Sequence, residues 1–225
     1  MKIALELGVD GRENMARDAA LLHEAEVGWA SARVYTWDGP WVSLGMFQSP
    51  QKDLRPGCPV PWVVRPTGGK AVLHGHDVTL GAAWPLTWVR DRLLARREPV
   101  PPSLSRSVRS VYRIAAGPIL ASLRACGIPA ALGEATRFAG RGPRTADCFA
   151  HVSANDIVDE RTGVKVCGCA LRITDAAVLV QASIPAGPPL VDPAAVYERP
   201  AVSTAAKLAP DAFAEALEKA ISAWI

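Results

Sequence analysis

A glycine turn between two apolar runs is the sequence feature that most limits how this chain can fold. Residues 63–81 read VVRPTGGKAVLHGHDVTLG, so Arg65 to Lys70 interrupts two stretches of strand-forming composition. Proline presets φ and glycine accepts positive φ, so this segment predicts a tight turn between two strands. Gly69-Lys70 resembles the end of a phosphate loop, but that motif also needs Gly at position 64 and Ser or Thr at 71. The chain has Val64 and Ala71 there, which excludes a phosphate loop.

The rest of the chain predicts alternating helices and strands. An apolar stripe favours a first helix over 14–27, and SARVYTW and WVSLGMF, divided by Asp38-Gly39-Pro40, predict a hairpin or two adjacent strands. A Pro-Val-Pro-Pro break at 99–102 predicts a linker, followed by a helix from about Ser103 through Leu123. Strand segments are predicted between 147 and 184, and an amphipathic helix from Pro210 to Ile225.

Composition excludes several classes of protein. With 225 residues, of which 49% are hydrophobic, the chain can build a globular core. A net charge of +3 without basic and aromatic interleaving argues against a nucleic-acid binder, and no apolar stretch is long enough to span a membrane. The N-terminal apolar run is too short for a secretory signal, and the five cysteines have no framework spacing. These features predict a cytoplasmic protein with reduced thiols, which is expected to bind neither nucleic acid nor membrane.

Cys148 is the first candidate for chemistry, because it lies in TADCFAH beside Asp147 and three residues before His151. A thiolate is a potent nucleophile near neutral pH when a cation or base activates it, so Cys148 could form a thioester. From the residues alone the alternative is an inert buried cysteine. Lys165 is the second candidate, because a charged side chain in an apolar strand needs a partner or a cavity; the alternative is an edge lysine that prevents aggregation.

Two pairs of potential metal ligands carry little weight. His74 and His76, and likewise Cys167 and Cys169, are two residues apart and would share a strand face. Neither pair has further ligands at a recognisable zinc spacing, so we predict no metal site. A third feature, the arginine-rich segment 90–113, suggests a docking surface for an acidic protein, or else a solvated helix face.

Four segments, taken together, resemble the lipoate-protein ligase and octanoyltransferase family: NMARDAALL, RVYTWDGPWVSLGMFQS, RPTGGKAVLH with DVT, and NDIVDERTGVKVCGCA. The resemblance extends from residue 14 to about 184. It implies an α/β fold, a mixed-sheet sandwich flanked by helices like that of biotin and lipoate protein ligases, here as a single catalytic domain over 1–225 without a C-terminal accessory domain.

The resemblance also implies roles for particular residues. The RPTGG turn would form one wall of a lipoyl or octanoyl pocket, and the lysine of the VKVCGCA strand would contact the reacting acyl carbonyl. The implied catalytic residues are Cys148 and Lys165. The implied substrate-binding residues are Arg65, Thr67, Gly68, Gly69 and His74. Two positions depart from the family pattern: Gln181-Ala182 replaces a frequent His-Gly pair, and Gly75 replaces the usual acidic residue after His74.

Within the family, the cysteine-dependent transferases are the best match. Family ligases usually have Gly where this chain has Lys70, whereas transferases resemble RPTGG-R/K-AVLH and carry a nucleophile at the position of Cys148-Phe149. The predicted function is therefore transfer of an octanoyl or lipoyl group from acyl carrier protein, through a Cys148 thioester, to a lysine of a lipoyl-domain protein. That acceptor would be the glycine cleavage H protein or a 2-oxoacid dehydrogenase E2, and no cofactor would be needed.

Three alternatives remain open from the sequence. An ATP-dependent lipoate ligase, or its catalytic subunit, would need ATP and Mg and work through lipoyl-adenylate. A lipoyl transferase would move the group between carrier proteins. A non-catalytic binder of lipoyl domains would keep the fold without turnover.

Overall fold

A seven-stranded mixed sheet forms the centre of the molecule in the computed structural model, which describes residues 3–201 and 205–224. The strand order is β1-β2-β6-β10-β9-β8-β7; β1 and β2 run parallel, and every other neighbouring pair is antiparallel. The strands are β1 Ala4–Val9, β2 Ser31–Trp37, β6 Asp77–Pro85, β7 Ala130–Leu132, β8 Ile157–Asp159, β9 Lys165–Ile173 and β10 Ala177–Pro185.

The two faces of this sheet differ in composition. Successive side chains of a strand point to opposite sides, so each strand contributes to both faces. On one face Val34, Leu80 and Val180 belong to the largest apolar core. That core is covered by helices α3 Leu86–Ala95, α4 Val108–Ala125 and α5 Pro210–Ser222. The other face presents the next residues in register, among them Tyr35 and Gln181, and carries the polar groups described below.

Helix α1 and a second, smaller sheet lie on that polar face. Helix α1, Gly11–Glu26, begins at Asp10, whose carboxylate accepts hydrogen bonds from the backbone N–H groups of Arg12 and Glu13 at 2.8 and 3.2 Å. The small sheet has the order β4-β3-β5, and a short helix α2 precedes β4. Its strands are β3 Val42–Leu44, β4 Trp62–Val64 and β5 Val72–Leu73, and α2 is Pro50–Asp53.

The structure corrects several predictions about local elements. β2 and β3 are neither a hairpin nor neighbours, because both edges of β2 are already paired, with β1 and β6. Arg65 to Lys70 does connect two strands, but β4 and β5 each pair with β3 rather than with one another, and the strand starting at Asp77 belongs to the large sheet.

The helix predictions were partly right. Helix α3 was missed, although Leu86, Val89 and Leu93 form a buried stripe at helical spacing. The helix predicted from about Ser103 begins at Val108. The predicted C-terminal helix is α5, and Ile225 lies outside the described residues. Within the described residues, no helix is both long and apolar enough to cross a membrane.

We expect Gly81→Ala to destabilise the fold, because a Cβ at this position of β6 would lie 2.2 Å from Oδ1 of the buried Asp18. Overpacking of this kind costs about 3 kcal/mol. Gly39→Ala is the control, since a Cβ there meets nothing within 4 Å. Urea unfolding of both variants checks the prediction; equal stability of the two would contradict it.

Candidate active site

Backbone pairing holds Cys148 beside the segment that follows the glycine turn. The N–H of Ala71 donates to the carbonyl of Ala146, and the N–H of Cys148 donates to the carbonyl of Ala71, both at 2.9 Å. Cys148 then opens a single turn of 3-10 helix, Cys148–Ala150, at which the Asp147 carboxylate accepts from the N–H of Phe149 at 2.9 Å. The cysteine is thus fixed in place by main-chain hydrogen bonds.

Lys165, the first residue of β9, points at this cysteine. Its Nζ donates to the Cys148 carbonyl at 2.7 Å and to the Cys148 Sγ at 3.2 Å, and it forms an ion pair with Oδ1 of Asp156 at 2.9 Å. Burial lowers the pKa of Lys165, but the neighbouring Cys148 and Asp156 outweigh burial and raise the pKa above its ordinary value. Lys165 therefore carries a fixed positive charge at the sulfur, and β9 is not an edge strand, so the alternative of a protective edge lysine is wrong.

Asp147 and His151, the two polar residues near Cys148 in sequence, contact backbone groups rather than the sulfur. The second oxygen of Asp147 accepts from the N–H of Ala201 at 2.7 Å, and burial raises the pKa of this carboxyl group. Nδ1 of His151 lies 2.9 Å from the carbonyl oxygen of Gly142. The cation found at the sulfur comes instead from Lys165, on another strand.

Gly168 is a site residue that the sequence analysis did not single out. A Cβ at this position would lie 3.1 Å from Sγ of Cys148 and 3.5 Å from Cε of Lys165. Only glycine leaves room for both side chains without displacement. The available signal was its place in the VKVCGCA motif, three residues after Lys165.

The buried side chain of Arg65 forms hydrogen bonds with the backbone of the glycine turn. Its guanidinium donates to the carbonyl oxygens of Gly68 at 2.6 Å, Lys70 at 2.7 Å and Ser43 at 3.0 Å. Gly69 has φ +90°, a backbone conformation that residues other than glycine rarely adopt. Arg65 thus shapes the turn through three carbonyl groups, and its role toward a substrate remains a prediction.

Thr67 connects this turn to the polar face of the large sheet. Its hydroxyl donates to Oε1 of Gln181 at 2.6 Å, and Nε2 of Gln181 donates to Oδ2 of Asp18 at 2.6 Å. Asp18 also accepts from the hydroxyl of Tyr35 and from Nη1 of Arg33, both at 2.8 Å. The departure from the family pattern at Gln181 therefore provides a link between turn, sheet and helix α1.

His74 lies in a second buried chain of hydrogen bonds. Its Nε2 is 2.8 Å from Oγ of Ser43, its Nδ1 is 2.7 Å from Oδ2 of Asp77, and its ring stacks on Trp37 at a centroid distance of 4.0 Å. The carboxylate beside His74 therefore comes from Asp77, because the residue that follows His74 directly is Gly75. His74 and His76 lie between β5 and β6 rather than on a strand face, so the predicted strand placement of the pair is wrong.

Cys167 and Cys169 do share one face of β9, with sulfur atoms 3.5 Å apart. The hydrogen bond to Cys169, together with burial, raises the pKa of the Cys167 thiol. Across residues 3–201 and 205–224, no three or more His, Cys, Asp or Glu side chains are grouped to hold a metal ion.

Two cavities meet at Cys148. The first, here called the inner cavity, lies beneath the glycine turn, and its lining includes Arg65, Gly69, His74, Cys148, Gly168 and Gln181. The second, here called the outer cavity, has a volume of about 410 Å³, and its lining includes Asp147, Phe149 and Lys165. Cys148 thus lines one cavity, while Lys165 and the two sequence neighbours of Cys148 line the other.

The chain belongs to the family of lipoyl protein ligase A/B catalytic domains, whose model matches residues 10–216. The octanoyltransferase LipM of Halalkalibacterium halodurans is 32% identical over 185 residues, which cover 78% of this chain and 62% of that protein. The LipM of Exiguobacterium sp. is 31% identical over 183 residues, covering 77% of this chain and 61% of the relative. The chain thus spans a little over three fifths of the length of these curated relatives.

Solved structures agree on the fold. A T. acidophilum protein with bound lipoic acid superposes with a TM-score of 0.72 at 19% identity, covering 99% of this chain and 85% of that one. A lipoate-protein ligase A bound with ATP superposes with a TM-score of 0.68 at 20% identity, covering 100% and 85%. The predicted α/β sandwich of the lipoate ligase type is confirmed.

We expect the stability contributed by Asp77 to depend on pH. Burial raises the pKa of this carboxyl group, but His74 and the hydrogen bond from Ser183 more than offset burial and lower the pKa to about 2. A carboxyl group whose pKa is lower in the folded state contributes its full stabilisation when the pH is above the unfolded pKa of about 3.9. This contribution disappears as the pH falls toward 2.

Asp77→Asn should therefore cost roughly 2 kcal/mol of unfolding free energy at pH 6, and the cost should shrink between pH 4 and pH 2. Urea unfolding across this range measures it, with the exposed Asp175→Asn as control. A cost for Asp77→Asn that is the same at pH 6 and pH 2.5 would show that the linkage is absent.

Proposed function

We propose that this chain is an acyltransferase that moves an octanoyl group from acyl carrier protein to a lysine of a lipoyl-domain protein, through a thioester on Cys148. The observation that carries the proposal is the contact of 3.2 Å between Lys165 Nζ and Cys148 Sγ at the boundary of two cavities. Similarity to proteins named octanoyltransferase LipM supports the acyl group and the reaction class.

The charges around Cys148 suit a nucleophile. Lys165 donates directly to the sulfur, so a cation stands next to the atom that would attack the acyl carbonyl. Lys70 and Arg65 are near enough for Cys148 to affect their electrostatics: burial lowers the pKa of both residues, and the neighbouring cysteine opposes this effect. Lys165 therefore contacts the sulfur, and two further cationic side chains interact with Cys148 electrostatically.

In the first step the Cys148 thiolate attacks the carbonyl carbon of the donor thioester. A new C–S bond forms to Cys148, the C–S bond to the carrier breaks, and the carrier sulfur leaves with the electron pair and takes up a proton. Lys165 is placed to stabilise the oxyanion, since charge that develops in a buried site is stabilised strongly by a fixed donor.

In the second step the amine of the acceptor lysine attacks the octanoyl-Cys148 carbonyl. A C–N bond forms, the C–S bond to Cys148 breaks, the nitrogen loses one proton, and the thiolate is restored. Because a thioester is already activated, neither step needs a nucleotide or a metal. The inner cavity has a volume of about 40 Å³ and would have to widen to hold the acyl chain. Arg65, Thr67, Gly68, Gly69 and His74 would form its wall around the glycine turn.

Acidic carrier and lipoyl domains are the proposed partners, in the cytoplasm. On the predicted arginine-rich docking surface, Arg109 and Arg113 already pair with Glu134 and Glu98. A groove beside Gly69 has four cationic residues in its lining, Lys52, Lys70, Arg144 and Arg199, against two acidic ones, Asp53 and Glu198. This groove is the better candidate for docking an acidic domain.

The thioester is tested by mixing the protein with octanoyl-acyl carrier protein and measuring intact mass. We expect one hydroxylamine-labile octanoyl adduct on the wild type and on Cys58→Ser, and none on Cys148→Ser. Cys58 is a matched control because it is also a partly buried free cysteine.

An adduct that persists in Cys148→Ser contradicts the mechanism. ATP-dependent modification of a lipoyl domain by that variant would favour the ligase alternative. Binding of lipoyl domains without any turnover would favour the non-catalytic alternative.

Lys165→Met should lower the rate of octanoyl transfer by about 100-fold or more, the usual effect of removing one oxyanion donor. The control is Lys219→Met, in the last turn of α5. Single-turnover kinetics measure the loss, and circular dichroism checks folding, because the variant leaves Asp156 without its ion pair. A folded Lys165→Met protein with normal transfer rates would refute the assigned role.

A further inference from the structure

The second step of the proposed reaction needs a group that accepts a proton. The attacking nitrogen must lose a proton as its bond to the acyl carbon forms, and a neighbouring base speeds such a transfer. With the acyl chain in the inner cavity, the amine approaches Cys148 from the outer cavity, whose lining includes Asp147, Phe149 and Lys165. The base is therefore to be sought among the titratable residues of the outer cavity.

Lys165 is not suited to accept this proton, because its ammonium group is fully engaged as a donor. Its Nζ donates to the carbonyl oxygen of Cys148 at 2.7 Å, to Sγ of Cys148 at 3.2 Å and to Oδ1 of Asp156 at 2.9 Å. An ammonium group has three protons and no acceptor, so these partners use all of its hydrogen bonds. Lys165 therefore remains a cation beside the thioester, and the proton must go elsewhere.

Three further titratable residues of the lining are also unsuited. Arg141 is permanently protonated and accepts no hydrogen bond. Both oxygens of Asp147 already accept from backbone N–H groups, those of Phe149 and Ala201, at 2.9 and 2.7 Å. The hydroxyl oxygen of Tyr197 is inaccessible, and burial raises the pKa of this phenol, which keeps it protonated. None of the three is placed to take a proton from a ligand at neutral pH.

His76 is the remaining titratable residue among the described residues that line the outer cavity. Its carbonyl oxygen accepts from the N–H groups of Ala186 and Gly187, both at 2.9 Å, which fixes its backbone against the end of β10. The side chain is partly exposed, but Nδ1 is inaccessible and has no hydrogen-bond partner in 3–201 or 205–224. Nε2 is therefore the ring nitrogen that a ligand in the cavity can meet.

The surroundings of His76 keep its imidazole neutral near pH 7. Burial lowers the pKa of His76, the neighbouring carboxylate of Asp77 opposes this effect, and His74 adds to it. The carboxylate of Asp147 also raises the pKa, but the net shift is downward. Lys165, which lines the same cavity, is a further positive charge that disfavours an imidazolium. A neutral imidazole is the form that can accept a proton.

We infer that His76 is the general base of the second step, and that its Nε2 takes the proton from the attacking amine of the acceptor lysine. The inference rests on the proposed thioester function. The acceptor reacts as the neutral amine: as the C–N bond forms, one N–H proton passes to Nε2, and the C–S bond breaks with its electron pair on the sulfur of Cys148, beside Lys165. The imidazolium then releases its proton to water in the outer cavity.

The test separates the two steps of transfer. Octanoyl-Cys148 protein is prepared with octanoyl-acyl carrier protein, isolated, and mixed in a single turnover with a lipoyl domain that carries its unmodified lysine. His76→Gln should lower the rate of this second step about 100-fold, the usual contribution of a general base, and leave formation of octanoyl-Cys148 unchanged. The matched control is His23→Gln, whose side chain on α1 is 81% exposed and which should behave as wild type in both steps.

Hydroxylamine checks that the variants are intact. It is a strong nucleophile toward thioesters and does not depend on a base, so it should release the octanoyl group from wild type, His76→Gln and His23→Gln at the same rate. Slower release from His76→Gln would show that the substitution has disturbed the thioester itself, and would overturn the assigned role.

The pH dependence is a second readout, because a merely structural role would not change its shape. The wild-type rate of the second step should fall more steeply with pH below about 6.5, the ordinary pKa of histidine, because the acceptor amine and His76 must then both lose a proton. In His76→Gln only the amine titrates, so this additional steepness should be lost. Imidazole added to His76→Ala should restore part of the rate, because it supplies a base of the same kind.

The outcomes separate this inference from the proposed function. Equal second-step rates of wild type and His76→Gln, an equal loss in both steps, or an unchanged pH profile without rescue by imidazole would each overturn the role of His76, while the Cys148 thioester stands. If no octanoyl-Cys148 forms in the wild type, the proposed function fails and the inference fails with it.

Discussion

The carboxylate of Asp18 holds the polar side of the molecule together. It is completely buried on helix α1 and accepts hydrogen bonds from Arg33 and Tyr35 on β2 and from Gln181 on β10. A buried charge of this kind is tolerated only when it is paired and fully hydrogen-bonded. Because Gln181 also accepts a hydrogen bond from the hydroxyl of Thr67, this network links the glycine turn to helix α1.

This dependence explains why the sheet has two unlike faces. The residues toward α3, α4 and α5 are aliphatic and fill an ordinary core. The residues toward α1 and the small sheet include a carboxylate, a guanidinium and an amide, which satisfy one another in a buried network. The polar face can then support a narrow cavity without collapsing on it, because its side chains are fixed by directional bonds rather than by packing alone.

The sequence predicted the elements of the site better than their arrangement. The turn at 65–70 was recognisable from proline and glycine, and the motif resemblance indicated both Cys148 and Lys165. What the sequence did not contain was the partner of each group: Lys165 reaches Cys148 across 17 positions, and Thr67 reaches Gln181 across 114. Local patterns instead directed attention to Asp147 and His151, which hold the backbone of the cysteine turn.

The assignment of the strands to two separate sheets could not be predicted from the sequence either. SARVYTW and WVSLGMF have similar strand propensities, and nothing local separates a strand flanked on both sides from one that starts a new sheet. The missed helix α3 is a different case, because Leu86, Val89 and Leu93 form a buried stripe at helical spacing that the sequence does contain. Tertiary pairing, by contrast, is what separates β2 from β3, and no local pattern encodes it.

The bridge between Ala71 and Asp147 has a consequence for the length of acyl chain that the proposed site could accept. The backbone of Cys148 is hydrogen-bonded to Ala71, which follows the glycine turn directly, so these bonds set the position of the cysteine relative to the cavity wall. On the proposed function, every acyl chain is therefore attached at a fixed origin, and its far end meets whatever closes the cavity at that depth. On that proposal, the depth of the cavity below the sulfur would limit the length of the acyl chain.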